Sequence, residues 1–372
     1  MSFIRENIVK ILIFIFILVI FIVVFSMVFG KNKTVVVRTY PDMENSLKNA
    51  AIKYTNKNKK LLPKNDDETI KINLDTLVNE KYMSNLYAIN DKKIKCTGYV
   101  DISYKNNKNI YVPYIKCGKE YETNSLADYI IQNEPIVTSA DGLYKYGDTY
   151  VFRGENPKNF VKLGDRIYRI IDLTEDGYVR LISNKKLNIS VTWDNRYNES
   201  MDQSVGINDF SVSRLKESLN KIINSNYNSV NDYKYFSDQE LEKIVPYDIC
   251  IGKRPSSFDT INSYNECQKV EKNQKVGLIT VSDYARASID QNCKSIYSRS
   301  CLNYNYFSRI NSTFGTITAT SDNSYQVFYI YGGVAKLTRA SRTFSFNHVV
   351  YIDELSLYLK GDGTQENPYV VR

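Results

Sequence analysis

The sequence predicts an α+β fold carried behind a single N-terminal membrane helix. Three observations lead there. One uncharged apolar run lies near the N-terminus. Short strand-like segments separated by Gly and Asn turns alternate with a few amphipathic stretches. Six cysteines are spaced so that all of them can pair.

The apolar run extends from Ile11 to Phe29. It holds no charge and only one polar side chain, Ser26. As a helix it would span roughly 28 Å, enough to cross a bilayer core. A cleaved signal peptide has a shorter apolar region, about 7–15 residues, and a small-residue cleavage site. Retention as an anchor is therefore expected, with residues 1–33 as the anchor segment and the lipid bilayer as its partner. Arg5 and Lys10 precede the run, and Lys31, Lys33 and Arg38 follow it, so flanking charge does not set the orientation. The cysteines set it. They place the bulk of the chain in an oxidising compartment outside the cell membrane.

One cysteine pair follows from strand geometry. Residues 94–104 and 110–117 read as two strands around a polar turn. A hairpin centred on Asn106 and Asn107 opposes residues whose numbers sum to 213. Ile102 then faces Tyr111, Val100 faces Pro113, and Cys96 faces Cys117, all on one side of the ladder. A disulfide between Cys96 and Cys117 fits that spacing. Pro113 cannot donate to a ladder, so its strand is expected at an edge. Proximity makes Cys250 with Cys267, and Cys293 with Cys301, the simplest remaining pairs. The alternatives are a zinc site, which would want C-x2-C spacing or several histidines, and buried free thiols in a reducing compartment.

Between residues 34 and 123 the pattern is that of a small α+β unit. Asp42 reads as a helix N-cap with Glu44 in the first turn, and Met43, Leu47, Ala50, Ala51 and Tyr54 mark one buried face. A strand at 69–72, a helix at 74–82 and the cysteine hairpin complete the unit. Residues 124–141 read as a connector with one short helix. From 142 to 372 the chain reads as a larger, antiparallel-sheet-rich α+β unit, with strands at 159–163, 166–173 and 178–182. Val212, Leu215, Leu219 and Ile222 mark one helix. Ser237 and Glu240 form a capping box for another, with Leu241, Ile244 and Val245 on its apolar face and Pro246 at its end. A strand at 275–281 leads into a helix starting at Ser282-Asp283-Tyr284. Strands recur from Phe314, and the last ten residues are expected to close the sheet.

The chemistry-bearing residues are few. His348 is the only histidine, in a strand-like context between Asn347 and Val349, and reads as a surface or satisfied side chain rather than a base. No phosphate-binding glycine loop is present and no carboxylate pair is singled out, so no catalytic residue and no cofactor is assigned. Asp322-Asn323 and the 361–364 segment read as turns before they read as calcium contacts, and no metal site is assigned. Trp193 is the only tryptophan. It reads as a core anchor or, with Tyr197 four residues on, as a sugar-contacting pair. The 31 tyrosines are scattered without a stripe. Of the net charge of +8, the first 33 residues hold Arg5, Lys10, Lys31 and Lys33 against Glu6. The modest remainder is no nucleic-acid footprint.

The stretches GLYKYGDTYVFRGENPKNFVKLGDRIYRIIDLTEDGYVRLI, KVGLITVSDYARAS, YQVFYIYGGVA and LYLKGDGTQENPYVV occur in that order after residue 141. Together they resemble an uncharacterised extracellular module of Gram-positive surface proteins. That resemblance implies a C-type-lectin-like or formylglycine-enzyme-like α+β fold. The upstream segments AAIKYTNKNKKLLP, INLDTLVNEKYMSNLY, KCTGYVDISY and YVPYIKCG are similar to the globular part of pilin-like or pseudopilin-like proteins. The start, Ser2-Phe3-Ile4-Arg5-Glu6, departs from a prepilin start by lacking its Gly. The resemblance implies a non-catalytic surface protein that recognises an envelope or host glycan or a surface protein. The alternative it implies is a minor pilin-like component of a surface or secretion assembly.

Overall fold

A computed structural model describes residues 39–65, 68–105, 108–187, 190–224, 235–263 and 266–372. The anchor expected from Ile11 to Phe29 lies outside these residues. Among those described, no helix is long and apolar enough to cross a membrane. The fold is α+β and rich in antiparallel sheet. It divides into two compact units. One holds the residues up to Pro113 together with Cys117–Tyr121, and the other holds Tyr114–Lys116 and Glu122–Arg372.

The smaller unit sets helix α1 (Tyr40–Lys57) with a sheet ordered β1-β2-β3-β4. These strands are β1 (Thr69–Asn73), β2 (Thr97–Lys105), β3 (Lys108–Cys117) and β4 (Tyr121–Glu122). Helix α2 (Leu74–Asn79) follows β1 directly. The expected N-cap at Asp42 is corrected to Thr39. The Thr39 hydroxyl accepts from the Asp42 N–H, and the Asp42 carboxylate accepts from the Thr39 N–H at 2.8 Å. Asp42 is thus the third helical residue of a capping box, and Pro41 occupies the first turn, where its missing N–H costs nothing. Met43, Leu47, Ala50 and Ala51 are buried against this unit's core, which includes Ile72, Leu77, Val100 and Ile102. Cys96 and Cys117 are bonded, with Cα atoms 4.2 Å apart. The expected edge position of β3 is also corrected, since the two-residue β4 borders it.

The larger unit is built on a nine-stranded sheet. Its strands are β5 (Gly142–Tyr146), β6 (Thr149–Arg153), β7 (Phe160–Leu163), β8 (Arg166–Thr174), β9 (Val179–Ser183), β13 (Val276–Gly277), β18 (Val349–Ile352), β19 (Tyr358–Lys360) and β20 (Tyr369–Val371). The order is β13-β18-β9-β8-β7-β20-β19, with the β5–β6 hairpin joined to β8 through β6. As expected, the C-terminal residues close the sheet. They do so in parallel, with Tyr369 beside Val161 of β7. Three smaller sheets pair β10 (Val191–Thr192) with β17 (Thr343–Phe344), β11 (Tyr247–Cys250) with β12 (Val270–Gln274), and β14 (Thr313–Ala319) with β15 (Gln326–Tyr331) and β16 (Val334–Arg339).

Helices α3 (Leu126–Asn133), α4 (Arg214–Ile223), α5 (Asp238–Lys243), α6 (Val281–Arg286) and α7 (Tyr306–Ile310) complete this unit. The segment read as a connector belongs to its core, because Leu126, Ala127 and Ile130 of α3 are buried in the main apolar cluster. The Ser237–Glu240 capping box forms as read. Two readings change. Val212 is 52% exposed, since it ends a 3-10 turn over Phe210–Val212 whose three-residue period puts it out of phase with Leu215 and Leu219. The strand expected over 275–281 shrinks to Val276–Gly277, because Thr280 caps α6 and the chain turns helical at Val281. All six cysteines are paired: Cys250 with Cys267 and Cys293 with Cys301 join Cys96–Cys117. This leaves no thiolate for the zinc alternative.

Candidate functional site

A cross-strand row places the central groups of one cleft in the larger unit. In the antiparallel ladder Asp172 of β8 stands opposite Arg180 of β9, and Arg180 stands opposite Tyr351 of β18. The β8–β9 register shifts between Ile170 and Asp172. A bulge at that point re-aims the side chains that follow it, so Asp172 meets Arg180 on the cleft face. Helix α6 brings Asp283 and Arg286 from above. Its Thr280–Asp283 capping box fixes the carboxylate, with the Thr280 N–H donating to Asp283 Oδ2 at 2.8 Å.

Arg180 is the hub. Its Nε donates to Asp172 Oδ1 at 3.1 Å, its Nη1 to Asp283 Oδ2 at 3.1 Å, and its Nη2 to Asp283 Oδ1 at 2.6 Å. Arg286 Nη2 donates to Asp283 Oδ1 at 3.2 Å and lies 3.8 Å from Asp172 Oδ2. Burial by itself would raise the Asp283 carboxyl. The Arg180 and Arg286 charges, the Arg180 hydrogen bonds and the Thr280 N–H outweigh it and hold Asp283 below the usual carboxylate range. Burial likewise opposes the Arg180 charge, but Asp172 and Asp283 win and keep it firmly protonated. Two arginines and two carboxylates therefore form a mutually neutralised, rigid floor.

An aromatic wall stands beside this floor. Tyr247 of β11 stacks on Tyr351 at 4.2 Å between ring centres, and Tyr178 tilts against Tyr247 at 5.0 Å. Burial raises the Tyr247 and Tyr351 phenols. Thr149, Thr174, Asp248, Ser263 and the Cys250–Cys267 disulfide complete the lining of a cleft of about 190 Å³. Arg286 Nε is buried there without a hydrogen-bond partner. The cleft thus sets two half-buried rings, Tyr178 and Tyr247, and the buried Tyr351 beside the arginine–carboxylate floor.

The residues singled out from the sequence lie elsewhere. Trp193 is fully buried, and its indole N–H donates to the Thr316 carbonyl at 3.1 Å. It occupies the core position, closed to solvent. Tyr197 is 53% exposed and its hydroxyl bonds to Asp202. His348 is completely buried between Tyr168 and Tyr235, whose hydroxyls lie 3.3 Å from Nε2 and Nδ1 respectively. Burial, reinforced by the Arg166 charge, lowers it to about 3. Asp362 accepts from the Thr364 N–H two residues on and forms a turn, whereas Asp322 accepts from the Ser256 N–H, 66 positions away in the chain. Among the described residues no group of three or more His, Cys, Asp or Glu is placed to hold a metal ion. The cleft's own residues carry only weak sequence signals: a Thr-x-x-Asp capping pattern at 280–283 and tyrosines flanking a turn.

No protein-family model, no curated protein and no solved structure matches the chain.

Proposed function

We propose that this is a membrane-anchored cell-surface protein whose larger unit binds, without chemistry, an envelope or host glycan or surface protein at the cleft between β8, β9, β11, β18 and α6. The observation that carries this reading is the cleft's composition. Tyrosine rings stand beside a locked arginine–carboxylate floor, which suits a ligand with flat apolar faces and many hydroxyls. A volume of about 190 Å³ lies below the roughly 300–1,000 Å³ of sites for drug-sized ligands, so it suits a single ring such as one sugar unit. The anchor at residues 11–29 and the three disulfides support a location on the outer face of the cell membrane.

A second reading rests on the smaller unit. One 18-residue helix set with a four-stranded sheet is consistent with the pilin-like resemblance, and such a unit would serve as a minor structural subunit of a surface or secretion assembly. One experiment separates the two. The full-length chain, in detergent with its disulfides intact, is incubated with fractionated envelope, and retained glycans and proteins are identified. Retention of glycan, released by competing free sugar, is the expected result. Retention of specific membrane proteins without glycan would favour the assembly reading, and retention of nothing would sink both.

A further inference from the structure

The three disulfides differ in how exposed their cysteines are. Cys96, Cys117, Cys293 and Cys301 are all buried, at 6% exposure or less. Cys267 is exposed and Cys250 half-buried, and both line the cleft. A thiolate must reach a disulfide sulfur along the S–S axis, so exchange follows access, and exposed disulfides are the labile ones.

We propose that Cys250–Cys267 is a thiol-exchange site through which a low-molecular-weight thiol controls the cleft. The thiolate attacks Cys267 Sγ. A mixed disulfide forms there, the Cys250–Cys267 bond breaks, and Cys250 Sγ leaves with the electron pair as a thiolate. A second thiolate that attacks the sulfur of the bound thiol completes reduction and leaves Cys267 free.

The bond is wired to both walls. Cys250 ends β11, three residues after Tyr247 of the aromatic wall. Cys267 follows Glu266, whose Oε1 accepts from Arg254 Nη1 at 2.8 Å and from Ser282 Oγ at 2.8 Å. Ser282 precedes Asp283 on α6, the carboxylate that holds Arg180 and Arg286. Scission therefore removes the covalent tie between β11 and the segment that anchors α6, and leaves only its hydrogen bonds and ion pair. The unit itself stays folded, since the β11–β12 ladder and the Gly252 N–H to Glu266 carbonyl bond remain.

The effect on ligand rests on the binding reading above, whereas the exchange itself does not. The test titrates the oxidised full-length chain in detergent with glutathione, traps thiols by alkylation and maps them by mass spectrometry. Cys250 and Cys267 should be labelled at a thiol concentration at least about tenfold below that needed for the other four. Reduction of all three bonds together, or of a buried pair first, would overturn the proposal. Amide exchange is then compared between the wild type and the Cys250→Ser, Cys267→Ser double variant. Faster exchange at 247–250 and 280–286, with β7 and β8 unchanged, is expected. Selective reduction with unchanged exchange in those two segments would overturn control of the cleft. Failure of the oxidised protein to retain any envelope ligand would count against the binding reading alone, because the labelling order does not depend on it.

Discussion

Glu266→Gln should destabilise the larger unit by about 3–5 kcal/mol, the usual cost of leaving a buried charge without its partner. Arg254 and Glu266 are 0% and 1% exposed at the side chain and 2.8 Å apart. Every remaining donor of Arg254 that is satisfied points at neutral oxygen: the Phe258 and Thr260 carbonyls and the Ser282 hydroxyl. Glutamine can keep one hydrogen bond but not the compensating charge, and water cannot enter to solvate the guanidinium. Removing both charges, as Arg254→Met with Glu266→Leu, should cost less than the single change, because no charge is then stranded. Denaturant midpoints of the wild type and the two variants measure this. A double variant no more stable than Glu266→Gln would show that packing, and not charge pairing, is what the pair supplies.

Acid should expose a second buried group. His348 is enclosed by Tyr168, Tyr235 and Phe236, with Phe236 in edge-on contact at 5.1 Å. The charged groups facing it are Arg166 and Glu240, which lie 3.7 Å apart, and Glu240 also accepts from Tyr168 at 2.7 Å. Burial first and Arg166 second lower His348 from 6.5 to about 3. The sign follows directly. Between those values the unfolded chain binds a proton that the folded chain refuses. Stability is therefore complete above about pH 6.5 and falls as pH drops towards 3. The slope attributable to this residue is about 1.4 kcal/mol per pH unit below pH 6. His348→Gln removes the titrating group and leaves the carboxylates in place. The pH 7 to pH 4.5 loss of stability, from urea titrations, should be smaller in the variant by about 2 kcal/mol. Equal losses in both proteins would mean that His348 is reached by solvent.

Local chemistry made much of the fold legible. The sum rule across the polar turn placed Cys96 opposite Cys117, and the Ser237–Glu240 spacing announced α5. Both depend on residues close in sequence. Thr39 escaped because Asp42 is itself a good capping residue, and only the backbone geometry shows which of the two stands outside the helix. Val212 misled because a 3-10 turn changes the period without changing the residue types.

The cleft was barely legible: only the helix start around Asp283 left a local signal. Asp172, Arg180, Asp283, Arg286 and Tyr351 span 180 positions of the chain and meet through strand register and a bulge. None of them sits in a motif that periodicity would single out. Trp193 drew attention because tryptophan is rare here, yet its large apolar surface is better spent in the core than at the surface.

The cleft is the proposed binding site of the larger unit. The direct measurement is affinity for the glycan retained from envelope, compared between the full-length wild type and the Tyr247→Ala and Arg286→Met variants. A fall of at least about tenfold in each folded variant, the scale of losing one well-placed contact, is the predicted result. Undiminished affinity in both folded variants would contradict it and move the site elsewhere on the molecule.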